Sequence, residues 1–137
     1  MATFHLDLVA PDKLTFSGEV DQVDVPGIEG DFGILPGHAA AVSLLRPGIL
    51  TIYAGGTQKK MVVLGGFAEV SAQGRLTILA EVAETVEEFD RAALVARIAA
   101  MEERVKGLDA GALLDKEIQK LDHYRQVNQH LQGTAMH

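Results

Sequence analysis

Gly27, Gly30 and Gly33 stand at a G-x-x-G-x-x-G spacing inside "PGIEGDFGILPGHAA", which runs from Pro26 to Ala40. Glu29 and Asp31 sit between the glycines, and His38 follows Pro36-Gly37. Three chemistries are open to such residues: a phosphate cradle, a metal site, or a turn-rich surface that touches another protein. The phosphate reading fails on two counts. A dinucleotide fingerprint needs G-x-G-x-x-G between a strand and a helix, and a P-loop needs Gly-Lys-Ser/Thr opening a helix. Here two carboxylates would repel a phosphate, and Pro36-Gly37 interrupts any helix that followed. A metal site would draw on His38, Asp24, Glu29 and Asp31, but the chain has no H-x-H, no H-E-x-x-H and no EF-hand loop. His5, His123, His130 and His137 stand apart in sequence and read as exposed or packing residues.

Nucleophilic catalysis has no better footing. Ser17, Ser43 and Ser71 are the serines, and none lies in a G-x-S-x-G elbow. The pairs Glu87-Glu88 and Glu102-Glu103 read as solvated positions. What remains is a stretch of turns that carries Phe32, Ile34 and Leu35, apolar residues suited to an interaction surface. Gly33 and Gly37 are expected to hold turn conformations that β-branched residues resist.

The elements that must position this stretch fall into two grammars. Eleven of the fourteen glycines and all four prolines precede residue 85. Short β-rich runs alternate with turns there: "TFHLDLV", "GEVDQVDV", "AAVSLL", "GILTIY", "KKMVVL", "GFAEVS" and "RLTILA". Phe4, Leu6 and Leu8 alternate with His5 and Asp7, the period of a half-buried strand. Gly55-Gly56 and Gln73-Gly74 read as hairpin turns. This spacing of strands predicts a sandwich or barrel over residues 1–84. Residues 85–137 change to a helical period. Thr85 with Glu88 fits a capping box, and Asp90 is the alternative N-cap. Leu94, Ile98, Met101 and Val105 share one face, Gly107–Gly111 breaks the helix, and Leu114, Ile118, Leu121, Tyr124 and Leu131 line a second helix. The two read as an antiparallel hairpin, with alanines 92, 93, 96, 99, 100 and 112 expected to let the helices approach closely.

Bulk composition narrows the function. The 137 residues carry 12 Lys and Arg against 19 Asp and Glu, a formal charge of −7, which disfavours nucleic acid and anionic lipid as partners. There is no cysteine, so neither a disulfide framework nor a thiolate metal site can form. No apolar run approaches the ~20 residues of a membrane helix, and the N-terminal residues do not read as a signal or transit peptide. A cytosolic protein follows, unless a partner holds it to a surface. A small β-sandwich module for sugars or peptides is a rival reading; the chain has no Trp and only two Tyr to build such a site. A metal-dependent enzyme is a third.

"FSGEVDQVDVPGIEGDFGILPGHA" (Phe16–Ala39), "LRPGILTI" (Leu45–Ile52) and "GGFAEV" (Gly65–Val70), in that order, resemble the epsilon subunit of the F-type ATP synthase. The resemblance covers the whole chain. It implies a β sandwich of about ten strands followed by a C-terminal antiparallel α-helical hairpin. It implies a non-catalytic rotor subunit of the central stalk, held peripherally at the cytoplasmic face of the bacterial inner membrane with no lipid insertion. Its partners would be the gamma subunit, the ring of c subunits, and the catalytic alpha and beta subunits through the hairpin. By the same resemblance Leu35, His38, Ala39 and Ala40 would contact gamma, and Glu29, Asp31 and Phe32 would contact the ring loops. Some members bind ATP through Ile/Leu-Asp-x-x-Arg-Ala at the start of the first helix. Phe89-Asp90-Arg91-Ala92-Ala93-Leu94 stands at that place, so Asp90 is kept while Ala93 takes the arginine position. Arg91 lies two residues away, about 200° around a helix of 3.6 residues per turn. Asp90 and Arg91 are therefore the candidate nucleotide residues, weak or absent ATP binding is expected, and no cofactor is.

Overall fold

The computed structural model describes residues 2–11 and 13–135. The chain divides into two compact units, one ending at Glu87 and the other beginning at Glu88.

The first unit holds ten strands: β1 (Phe4–Ala10), β2 (Lys13–Val20), β3 (Gln22–Gly27), β4 (Gly30–Ile34), β5 (Ala41–Leu45), β6 (Gly48–Ala54), β7 (Thr57–Val63), β8 (Gly66–Val70), β9 (Leu76–Ala80) and β10 (Ala83–Thr85). They are hydrogen-bonded in the order β10-β7-β6-β3-β5-β8-β9-β1-β2, with β4 on the other edge of β3. β3 is where the sheet turns over. Its first half pairs with β6 through Val23↔Ile52, while its last residue pairs with β5 through Gly27↔Leu45. The ladders are antiparallel except that of β1 with β9, which is parallel from Leu6↔Leu76 to Val9↔Leu79.

Alternation explains why the layers close on each other. β1 buries Phe4, Leu6, Leu8 and Ala10 and turns His5, Asp7 and Val9 outward. Leu6 and Leu8 meet Val23, Val25, Ile34, Leu50, Ile52, Met61, Leu76 and Ile78 in one core drawn from both layers. Each large aliphatic side chain buried there contributes about 1.5–3 kcal/mol of transfer free energy.

Three local readings are corrected. "GEVDQVDV" is not one strand; the chain breaks at Asp21, whose carboxylate accepts the Gly55 N–H at 3.0 Å and whose own N–H reaches the Tyr53 carbonyl at 2.8 Å. That pins the Gly55-Gly56 hairpin, where both residues have positive φ. Thr85 is no helix cap, because it ends β10 opposite Met61. The β unit thus runs past residue 84, and the helical unit opens at Glu88.

The second unit pairs α1 (Arg91–Lys106) with α2 (Ala112–Ala135). Asp90 is the N-cap of α1 and accepts the Ala93 N–H at 3.1 Å. Leu94, Ile98 and Met101 are buried against Leu121, Tyr124, Val127 and Leu131. The alanines at 92, 93, 96, 99, 100 and 112 are exposed instead. They fall outside the arc set by the 94/98/101 spacing, and large side chains fill the seam. Ile118 is likewise turned out, and Val127 takes the buried place. Arg104 bridges to Glu117 at 2.7 Å, and the Arg97 guanidinium donates to the Tyr124 hydroxyl at 3.3 Å.

Candidate docking surfaces

The glycine-rich stretch is a β arm. β3 turns into β4 through only two residues, Ile28 and Glu29, with Gly27 opposite Gly30 and Pro26 opposite Asp31. Gly27 is needed because a Cβ there would lie 2.7 Å from the Gly30 carbonyl oxygen and 2.8 Å from the Phe32 ring. Gly33 is less constrained. It lies within β4 without positive φ, and a Cβ there would meet the Asp24 carboxylate at 3.2 Å and the Gln22 amide nitrogen at 3.6 Å. The turn conformation expected of Gly33 is therefore a strand conformation.

Arg46, of the Arg-Pro-Gly block, holds the arm. Its guanidinium donates to the Gly27 carbonyl and to the Asp31 carboxylate, and its backbone N–H reaches the Pro26 carbonyl at 3.0 Å. Asp31 stays 75% exposed while so paired. Glu29 is exposed at the turn, Phe32 is half-buried against the core, and Ile28, which no spacing in the sequence marked, is exposed between them.

After β4 the chain turns at Pro36-Gly37, where Gly37 takes φ +85° and the His38 N–H reaches the Leu35 carbonyl at 3.1 Å. The half-buried His38 ring sits with Nδ1 2.7 Å from the Ala39 carbonyl oxygen. Leu35, Ala39 and Ala40 are exposed. The candidate residues thus form two groups: Glu29 and Asp31 at the tip of the arm with Phe32 at its base, and Leu35 to Ala40 in the connection to β5. Asp90 and Arg91 belong to the helical unit, and Asp90 is engaged in capping.

Register assembles a third surface that spacing alone did not reveal. Leu44 pairs with Phe67, Phe67 with Leu79, Leu79 with Val9, and Val9 with Leu14. Partners opposite one another share a face, so five apolar side chains run in a row across β5, β8, β9, β1 and β2. Leu44 is 60% exposed, Leu14 59% and Leu79 38%. Single exposed leucines are ordinary, whereas a contiguous row marks an interaction surface.

The row two residues along is polar: Glu69, Thr77, Asp7 and Ser17 are successive partners. His5 is not isolated there. Its Nε2 lies 2.9 Å from an Asp7 oxygen and its Nδ1 3.2 Å from a Glu19 oxygen. The Ser17 hydroxyl donates to Asp7 at 2.6 Å. The Ser17 bond first, then the His5 bond, holds the Asp7 carboxyl below the usual carboxylate value, with desolvation opposing them. The Ser17 Oγ also lies 3.3 Å from His5 Nε2, but its hydroxyl proton is given to Asp7 and not to the histidine, as an activated nucleophile would require. Among the described residues no cluster of three or more His, Asp or Glu is arranged to hold a metal ion. His137 lies outside the described residues.

Comparison with known proteins places these surfaces in context. Residues 3–86 match the family model described as ATP synthase, Delta/Epsilon chain, beta-sandwich domain. The chain is 59% identical to the ATP synthase epsilon chain of Nitrobacter winogradskyi and 58% identical to that of a Bradyrhizobium species, over 100% of both chains in each case. It resembles a chain in a cryo-EM structure of the Euglena gracilis mitochondrial ATP synthase with its c-ring, with TM-score 0.69 and 25% identity, covering 100% of this chain and 83% of that one. A chain of the Tetrahymena thermophila central stalk and c-ring shares the fold, with TM-score 0.64 at 18% identity, covering 94% of this chain and 96% of that one.

Proposed function

Because the chain belongs to the family of ATP synthase epsilon chains, non-catalytic subunits of the central stalk, we propose a division of labour among its three surfaces. The apolar row from Leu44 to Leu14, together with Leu35, His38, Ala39 and Ala40, docks on the gamma subunit. The tip of the arm, Glu29 to Asp31, rests on the polar loops of the c-ring. The helical pair faces the catalytic alpha and beta subunits. The observation that carries this reading is the continuous row of apolar side chains on the face of five strands, with Leu44, Leu79 and Leu14 exposed and Phe67 and Val9 half-buried between them. Covering it removes apolar area from water at about 25 cal/mol per Å², before the costs of association.

At the tip the contact is polar and weak. Asp31 already has Arg46 as partner, so a basic ring side chain would share its carboxylate. Such rim pairs contribute ~0–1 kcal/mol and orient more than they hold.

Attachment to the membrane is peripheral, at the cytoplasmic face of the bacterial inner membrane and through the ring alone. Supporting this, no helix among the described residues is long and apolar enough to cross a bilayer. ATP binding is weak or absent: one Asp90 oxygen accepts the Ala93 N–H, and Ala93 supplies no guanidinium.

The test is association with purified gamma. Leu44→Asp and Leu79→Asp are each expected to weaken binding at least tenfold, about 1.4 kcal/mol, with the melting temperature little changed because both side chains face outward. Wild-type affinity in both variants would remove the row from the docking surface. Titration calorimetry is expected to show no micromolar ATP binding to the isolated chain.

A further inference from the structure

The pairing of β3 with β5 stops early. Gly27↔Leu45 is the single register pair between them, flanked by the Ile28 N–H on the Leu44 carbonyl at 2.9 Å and the Arg46 N–H on the Pro26 carbonyl at 3.0 Å. Leu44 and Arg46 therefore present their backbone groups toward β3. In an antiparallel ladder alternate residues look the same way, so Val42 presents its N–H and C=O to that edge too. Beyond Ile28 the chain has already turned into β4, and no residue of β3 lies opposite Val42. β8 occupies the other edge of β5 over its whole length. Val42 itself is 70% exposed. A groove of about 510 Å³ runs beside this open edge, lined by Ile28 and Phe32 on the arm and Val42, Ser43 and Leu44 on β5.

We propose that β5 is completed by strand addition: an extended segment of the docked stalk partner, gamma, lies in this groove and bonds to the Val42 N–H and C=O. The inference rests on the docking reading above and specifies its mode. Main-chain bonds fix such a segment, and pockets for alternate side chains select it. The groove takes an apolar side chain between Ile28, Phe32, Val42 and Leu44. The acids at its rim call for a basic neighbour in the segment. Glu29 and Asp31 on the arm both line the groove. Arg46, which holds the arm, is committed to Asp31 and the Gly27 carbonyl. The occupant is thus an extended, apolar and locally basic strand, which the groove suits better than the end of a helix.

Backbone hydrogen exchange on the full-length chain, alone and bound to gamma, tests this. The Val42 amide is expected to slow at least tenfold on binding. Ala41 and Ser43, which face β8, are expected to change little. Val42→Pro removes the outward N–H and no bond to β8, a substitution that suits an open edge. It is expected to weaken gamma binding at least tenfold, whereas Val42→Ala, which keeps the N–H, is expected to weaken it less than threefold. Gamma binding with an unprotected Val42 amide overturns strand addition and leaves the docking reading intact; absence of gamma binding by the wild-type chain overturns both. Protection of Val42 that rises with the concentration of this chain alone makes the occupant a second copy, and also overturns the proposal. Should Val42→Pro fail to fold, exchange in the wild-type complex decides the matter by itself.

Discussion

Arg46 reaches two oxygens of the arm at once, the Gly27 carbonyl and the Asp31 carboxylate. Arg46→Met leaves that carbonyl without its guanidinium and is expected to cost about 1–3 kcal/mol of unfolding free energy. Asp31→Ala removes only the exposed half of the pair and is expected to cost at most ~1 kcal/mol. Urea unfolding of the two variants should therefore separate them. Glycines along the arm should divide as sharply. Gly27→Val drives a Cβ into the Gly30 carbonyl and is expected to cost about 2–3 kcal/mol. Gly33→Val keeps an ordinary strand conformation but presses on the Asp24 carboxylate that Gln22 and Tyr53 hold, and is expected to cost less than Gly27→Val, about 1 kcal/mol. Asp7 supplies a pH test. Its folded carboxyl binds a proton less readily than the unfolded one, because Ser17 and His5 bond its anion. The sign follows: its contribution is complete above the ordinary value of 3.8 and is lost as pH falls through the lower folded value. Between about pH 5 and pH 2.5 the unfolding midpoint should fall more steeply for wild type than for Asp7→Ala. Parallel curves would show that the Asp7 bonds do not couple to folding.

Elements were legible from the sequence where one period dominated. Alternation gave the strands of "TFHLDLV" and "RLTILA", the Gly-Gly pair gave the β6–β7 turn, and the 94/98/101 spacing gave the buried face of α1. The periodicity was silent on β4, because a strand of glycine, aspartate, phenylalanine, glycine and isoleucine reads as turn until β3 lies beside it. It was silent on β10, which is three residues long. The apolar row was hidden for a different reason. Each member is visible as an outward residue, but only the registers of four ladders align them. The alanines misled because small side chains permit close helix approach without requiring it. Ala96→Lys, on the exposed side of α1, is accordingly expected to change stability by no more than about 0.5 kcal/mol. Tyr124→Ala, in the seam and bonded to Arg97, is expected to cost about 3–5 kcal/mol. Thermal melts of the two variants check the pair.

At the scale of the whole chain, the β unit has its own core and carries the proposed docking surfaces, so residues 1–87 are expected to fold and bind gamma without the helices. A fragment that stays unfolded would refute that independence. The helical unit carries a regulatory question. Between residues 108 and 132 three basic residues face four acidic ones, a net −1, which gains little from an acidic target on a catalytic subunit. Arg104 and Arg125 are moreover engaged within the pair by Glu117 and by Glu102 and Asp122. Removing residues 88–137 from the reconstituted complex is therefore expected to raise ATP hydrolysis less than tenfold, under about 1.4 kcal/mol of barrier. A larger rise would make the pair a strong brake.

The parallel ladder of β1 with β9 also sets a timetable. β1 leaves the ribosome well before β9, so Leu6 and Leu8 find their partners Leu76 and Ile78 only when the β unit is nearly complete. Until then β1 and β2 are a hairpin with one edge open, a species of marginal stability in water. Closing a loop of that length is entropically costly and must precede the contacts that reward it, so the β unit should fold slowly for its size. Nascent chains halted before Leu76 are therefore the ones most exposed to edge-to-edge association with one another, and β9 is the segment whose arrival ends that hazard.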